Sequence, residues 1–132
     1  MYCLDTNAII YILQNKHKVA DTLLTKDINS VYTTIINYTE LLYGAYNSTK
    51  VSSNLEQING FVSNIKLLEF NKESAKLFAI EKARLRKLGK IIDNMDILIA
   101  SICITGNATL VTDNTKHFSE FKDLKIENWV ER

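Results

Sequence analysis

Proline is absent from this chain, and glycine occurs only at positions 44, 60, 89 and 106. No helix is therefore broken from within by a missing amide donor, and Gly89 and Gly106 both stand where a helix could end. Cysteine is almost missing as well. Cys3 and Cys103 each sit inside an apolar run, without the spacing that a thiolate metal site needs, so buried free thiols in a reducing compartment are the expectation. No sign of charge dominates: 16 basic and 15 acidic side chains leave a net charge of +1. That excludes a chain-wide field for nucleic acid and confines any basic footprint to a local patch. No charged and apolar leader opens the chain, and no apolar run reaches membrane-spanning length. A soluble, cytoplasmic protein with no membrane partner is expected.

What the chain does contain is an ordinary globular composition, 46% apolar and 23% charged, at a length that suits one domain over residues 1–132. Tyr2-Cys3-Leu4 reads as a short buried strand, with Asp5, Thr6 and Asn7 offering caps for a helix from Ala8 to Gln14. A second helical piece covers about Lys16 to Leu24. The turn Lys26 to Ser30 leads to Val31-Tyr32-Thr33-Thr34, a β-branched and aromatic strand. Helices are predicted from about Asn37 to Tyr46 and from Ser53 to Ser63, and a strand from Ile65 to Phe70. Asn71 is placed to cap the longest helix, Lys72 to Leu88, which Gly89 ends. Asn94 is a candidate cap for the nearly all-apolar helix Met95 to Thr105, closed by Gly106. Thr109-Leu110-Val111 makes another strand, and Leu124, Ile126 and Trp129 supply a last strand and a hydrophobic plug. Alternating strands and helices predict an α/β fold, a short mostly parallel sheet flanked by helices in three α/β/α layers.

Four acids fall at telling places in this pattern. Asp5 follows the first strand and Asp113 follows Thr109-Leu110-Val111. Glu40 and Asp96 lie in the first turns of helices that would pack beside those strands. Each has a plain structural explanation taken alone: a helix cap for Asp5, a helix-dipole partner for Glu40 and Asp96, and a turn for Asp113. Together they are harder to dismiss, because a parallel sheet brings such positions to one edge, where ligands of open α/β sheets gather. Carboxylates that close repel unless protonated or bridged by cations. An oxygen-rich site with retained waters suits Mg²⁺, with Mn²⁺ possible, and suits the hydrolysis of a phosphodiester.

The residues Leu4-Asp5-Thr6-Asn7, Thr39-Glu40-Leu41-Leu42-Tyr43-Gly44-Ala45, Gly89 through Asp93-Asn94-Met95-Asp96-Ile97-Leu98-Ile99-Ala100, Leu110-Val111-Thr112-Asp113-Asn114-Thr115 with Phe118, and Ile126-Glu127-Asn128-Trp129 span the whole chain. In that order and spacing the chain resembles a PIN-domain ribonuclease, and more narrowly the VapC toxins of bacterial and archaeal toxin–antitoxin systems. The resemblance implies a three-layer PIN fold and a Mg²⁺-dependent endoribonuclease that cleaves structured RNA such as tRNA or rRNA. It also implies a homodimer and a VapB-like antitoxin whose C-terminal segment lies in the active-site groove. Carried over residue by residue, it makes Asp5, Glu40 and Asp96 the metal-binding acids, Glu40 directly or through water. Either Asp113 or Asn114 fills the fourth position, with Asp113 favoured because it holds charge. Asp93 is an extra acid outside the pattern, a candidate for the outer shell. Thr6, Asn7, Thr112 and Asn114 have short polar groups suited to orienting carboxylates or water.

Lys82, Arg84, Arg86, Lys87 and Lys90 form the local basic footprint before Asp96. Arg84, Arg86, Lys87 and Lys90 are the candidates for RNA phosphate contacts, weighed against an ordinary solvated helix face. His117 is assigned a loop or surface role. Two other functions compete. Asp5-Thr6-Asn7 after a strand, with Asp93 and Asp96 later, also resembles the haloacid-dehalogenase-like phosphatases. However, the Gly-Thr pair and Lys loop of that family are missing, and Glu40 would have no task. A non-catalytic PIN-like module binding RNA or protein is the other alternative. Retention of all the acids argues against it, because buried carboxylates without a partner are costly.

Overall fold

A computed structural model describes residues 1–132. Strand β1 (Tyr2–Leu4) is followed by α1 (Thr6–Gln14) and the short α2 (Val19–Leu23). Then come β2 (Val31–Thr34), α3 (Ile35–Tyr46), α4 (Val51–Val62) and β3 (Lys66–Leu68). The remainder is α5 (Lys72–Lys87), α6 (Asn94–Thr105), β4 (Thr109–Val111), α7 (Thr115–Phe118) and β5 (Lys125–Glu127). The five strands form one sheet in the order β3-β2-β1-β4-β5. Every pairing is parallel, so the expected mostly parallel sheet is wholly so.

The strand order fixes where a ligand can sit. From the central β1 the chain builds outward through β2 and β3, then returns to the other side of β1 with β4 and β5. The reversal falls between β1 and β4, and such reversals open a crevice at the carboxyl ends of the strands. Asp5 and Thr112 are the first residues past those two strand ends. The ladder continues one bond beyond them: Asp5 N–H donates to the Val111 carbonyl and Thr112 N–H to the Glu127 carbonyl, both at 2.9 Å.

Alternation along these short strands divides the core in two. Cys3 and Leu110 point to one face and join Leu85 of α5, Ile97, Ile99 and Cys103 of α6, and Phe118 and Phe121. Leu4 and Val111 point to the other and join Ile9, Val19, Leu41, Ile58, Val62 and Trp129. The sheet thus separates two helical layers, the predicted α/β/α arrangement. Cys3 and Cys103 are free thiols with no exposed surface, as their apolar surroundings in the sequence imply. No helix is long and apolar enough to cross a membrane.

Several boundaries differ from expectation for local reasons. α3 begins at Ile35 because Thr34 caps it, its hydroxyl accepting from Asn37 N–H at 3.0 Å. Glu40 therefore lies in the second turn. Asp93, not Asn94, caps α6, accepting from Met95 N–H at 2.8 Å. Asn71 caps α5 as predicted, in a reciprocal box with Ser74. α5 ends where Gly89 takes a positive φ of 69°, a conformation glycine adopts without strain. α7, a single turn, was not anticipated.

Candidate active site

Asp5 caps α1 and is the hub of the site. Its Oδ1 accepts from Thr6 N–H at 3.0 Å and from Asn37 Nδ2 at 2.9 Å, while Oδ2 accepts from the Thr112 hydroxyl at 2.7 Å. Thr6 in turn donates its hydroxyl to Glu40 Oε1 at 2.7 Å. These bonds join β1, α1, α3 and the segment after β4 at one edge of the sheet. Hydrogen bonding to the charged form lowers a carboxyl's pKa, yet burial wins at Asp5 and pushes it above the ordinary aspartate value. Glu40 is raised as well, first by burial and then by the charges of Asp5 and Asp93, against the Thr6 hydrogen bond. Asp96 is pushed up to about 6 by burial, followed by the charges of Asp5, Asp93 and Glu40.

The charges that shift these three acids come from one another and from Asp93; none comes from Lys or Arg. The one opposing charge is that of His117, whose Nδ1 stands 3.9 Å from Asp96 Oδ2 and lowers the Asp96 pKa. His117 is held by Asn114, with Nδ2 of Asn114 3.2 Å from the ring Nδ1. Its exposed position agrees with the expected surface role, but it faces the site.

Asp113, the favoured fourth acid, is not brought into this set. Arg132 grips its carboxylate through Nη2 at 2.6 Å and Nη1 at 3.2 Å, and Asn128 Nδ2 adds a third bond at 3.1 Å. The Arg132 hydrogen bond holds the Asp113 carboxyl below its ordinary value. Its charge does not figure among the causes that raise the other acids. Asn114, the alternative, touches the network by its backbone, donating to the Thr112 hydroxyl at 3.0 Å. In this structure Asp93 supplies the fourth negative charge, from the exposed cap of α6. Asn7 is exposed and takes no part in the cluster's hydrogen bonds.

The basic candidates separate. Arg84 bonds Glu81 at 2.5 Å and the Glu120 carbonyl at 2.9 Å, and Lys90 bonds Glu120 Oε2 at 2.7 Å. Both tie the end of α5 to the segment after α7. Arg86 and Lys87 are exposed and form no ion pair.

No three carboxylate, imidazole or thiol groups lie close enough together to ligate one ion all at once. The fit to a metal rests on donor chemistry: several half-buried carboxyls raised in pKa by burial and, at Glu40 and Asp96, by neighbouring acids, with no ammonium or guanidinium between them. That matches a hard cation keeping several waters, as Mg²⁺ does, rather than a dry protein cage. Two hollows flank the acids. A cleft of about 290 Å³ between α1, α3 and α4 is lined by Ile10, Leu13, Leu41, Ala45 and Ile58 and closes on Thr6 and Glu40. A second, of about 250 Å³, is lined by Lys90, Ile91, Ile92, Lys116, His117 and Glu120.

Asn37 was overlooked in the sequence, although it has no exposed surface and ties Asp5 to Thr6. A signal was there: a polar amide three positions before Glu40, in an otherwise largely apolar stretch.

A wholly parallel sheet with acids clustered at its switch point defines an α/β fold with an acidic site at the carboxyl edge of its strands. The PIN domain profile matches residues 2–124. A ribonuclease VapC2 of Rickettsia felis is 36% identical, with 98% of each chain covered. A tRNA(fMet)-specific endonuclease VapC of Shigella flexneri is 29% identical, with 97% of each covered. Among solved structures, that of VapBC2 from Rickettsia felis bound to a DNA fragment from its promoter superimposes with a TM-score of 0.89 at 33% identity, covering 97% of this chain and 98% of the other. The chain belongs to the PIN domain family, in its VapC group.

Proposed function

We propose that this protein is a Mg²⁺-dependent endoribonuclease, with Mn²⁺ as an alternative ion, and the toxin of a type II toxin–antitoxin pair. The observation that carries the reading is the set Asp5, Glu40 and Asp96, whose carboxyls are raised by burial and, at Glu40 and Asp96, by neighbouring acids as well, with no fixed Lys or Arg to relieve them. The relatives named as ribonucleases and the VapBC complexes support it. Structured RNA, tRNA or rRNA, is the substrate class; the Shigella relative is named for one tRNA.

Asp5 and Asp96 would hold the ion, with Glu40 directly or through water. When bound, the ion supplies a water of lowered pKa and positive charge for the phosphate under attack. The chain's own residues supply the rest. Thr6, Asn37 and Thr112 fix the Asp5 carboxylate. Glu40 keeps Oε2 free of protein hydrogen bonds, available to orient water or take a proton. Arg86 and Lys87 stand free on the surface to meet RNA phosphates, whereas Arg84 and Lys90 already have partners. The apolar cleft beside Glu40 would receive the C-terminal segment of a VapB-like antitoxin, and the working form would be a cytoplasmic homodimer.

The haloacid-dehalogenase-like reading leaves Glu40 without a task, yet Glu40 is hydrogen-bonded into the site. Purified protein incubated with bulk tRNA and with a phosphomonoester, each with and without Mg²⁺, separates the readings. Mg²⁺-dependent tRNA cleavage lost in both Asp5→Asn and Asp96→Asn is expected. Cleavage that ignores Mg²⁺ or both substitutions would overturn the proposal. Turnover of the phosphomonoester alone would favour the phosphatase.

A further inference from the structure

Asn37 is the third residue of α3, fully buried, and each polar atom of its side chain is engaged. Its backbone N–H donates to Thr34 Oγ1 at 3.0 Å, so the Thr34 hydroxyl hydrogen goes to Asn37 Oδ1 at 2.7 Å. The two hydrogens of Nδ2 then run to Asp5 Oδ1 at 2.9 Å and Thr6 Oγ1 at 3.0 Å. Thr6, having accepted there, gives its own hydrogen to Glu40 Oε1 at 2.7 Å. A hydroxyl has one hydrogen and an ionised carboxylate has none, so the direction is forced at every link. Donation passes from Thr34 through Asn37 to Asp5 and Thr6, and from Thr6 to Glu40. The flipped amide would set a carbonyl oxygen against the Asp5 carboxylate.

We infer that Asn37 is a positioning residue of the active site: its amide fixes the orientation of Asp5 and, through Thr6, that of Glu40. The inference rests on the metal-dependent reading proposed above. Counting acceptor positions makes it specific. An ionised carboxylate offers about four. On Asp5, Thr6 N–H and Asn37 fill Oδ1, and Thr112 takes one position on Oδ2. One position is left, on Oδ2, so Asp5 is prepared to meet a cation through that oxygen alone. Glu40 likewise has Oε1 committed to Thr6 and Oε2 open. A space-filling role would be served by leucine, without the cost of burying an amide.

Three variants test this. Asn37→Leu keeps the branching, adds some bulk and deletes both donors. Asn37→Asp keeps the shape and puts an acceptor where the donor stood. Thr6→Val removes the hydroxyl that links Asn37 to Glu40 and leaves the Asn37 bond to Asp5 in place. Mn²⁺ binding by calorimetry, thermal unfolding without metal, and kcat and KM on bulk tRNA are measured for each. Asn37→Leu should weaken Mn²⁺ binding and lower kcat by about 10- to 100-fold, with KM unchanged and the metal-free protein still folded at the assay temperature. Asn37→Asp should be at least as impaired in kcat. Thr6→Val should lower kcat more than it weakens Mn²⁺ binding. Parental Mn²⁺ affinity and kcat in a folded Asn37→Leu would overturn the inference. If Asn37→Leu does not fold, Thr6→Val decides: a parental kcat there would overturn it. An unsubstituted protein that neither binds Mn²⁺ nor cleaves RNA would overturn the proposed function itself, and this inference with it.

Discussion

Asp5 and Asp113 lie close together in the fold's plan, Asp5 directly after β1 and Asp113 one residue beyond Thr112 at the end of the adjacent β4, and their surroundings have opposite character. Asp5 is met by three neutral donors, Thr6 N–H, Asn37 and Thr112, and burial still leaves its carboxyl raised. Asp113 is met by a guanidinium and its carboxyl is lowered. Neutral donors orient a carboxylate without cancelling its charge, so Asp5 remains able to attract a cation. A fixed guanidinium orients and cancels together, so Asp113 works as a clasp for the segment carrying Asn128 and Arg132. Two acids at neighbouring strand ends thus differ in the charge of their neighbours, and on the proposed function that difference decides which of them meets a cation.

The largest expected effect tests the contrast directly. Asp5→Asn should lower the tRNA cleavage rate on the order of a thousandfold, the several kcal/mol attributed to metal stabilisation of such reactions. Asp113→Asn should lower it by no more than about threefold. Equal losses in a quantitative gel assay would erase the distinction and restore Asp113 to the reacting set.

Removing the metal comes next. Chelation should abolish cleavage, and the metal-free protein should display the strain at Asp96. The folded Asp96 carboxyl titrates at about 6, against about 3.9 in an unfolded chain. Between those values the folded state holds more protons, so the Asp96 contribution to stability is present below about 4 and declines as pH rises to about 6. Asp96→Asn should remove that decline and stabilise the metal-free protein at pH 7 by roughly 1 to 3 kcal/mol, while eliminating cleavage. Urea unfolding at pH 5 and pH 7 measures both. A less stable Asp96→Asn at pH 7 would mean that the acid is satisfied without a cation.

The smallest effect belongs to the clasp. Arg132→Ala should leave kcat within about twofold. The Asp113 contribution, present above the ordinary aspartate pKa and lost as pH falls, should shrink in the acid limb of the same unfolding curves.

Much of this arrangement was legible in the sequence because it is local. Short apolar runs ending in Asp5 and Thr112-Asp113 declared the strand ends, and Asn71 declared a helix start. What stayed hidden depended on distant partners or small offsets. Asp113 looked like Asp5 because Arg132 lies 19 residues away at a flexible side chain's reach. Asn37 was hidden by a boundary error: starting α3 at Asn37 makes that residue a helix opening, whereas the Thr34 cap buries it one turn before Glu40. α7 has only four residues, too few for a hydrophobic period to register. Of the two acceptors of Arg84, Glu81 stands at helical spacing in the sequence, whereas the Glu120 carbonyl is a backbone group that no side-chain pattern reveals.

The bond from Thr112 to Asp5 spans 107 positions of the chain. Its consequence lies in the order of assembly. Asp5 is made long before Val111, which holds its amide, and Thr112, which holds its carboxylate. A nascent chain that has not yet released β4 has no central strand pairing at the switch point and no completed cluster of acids. On the proposed function, the Asp5 carboxylate is set for a metal only once β4 has joined the sheet, and a chain cut before Thr109 should bind no Mn²⁺ in calorimetry.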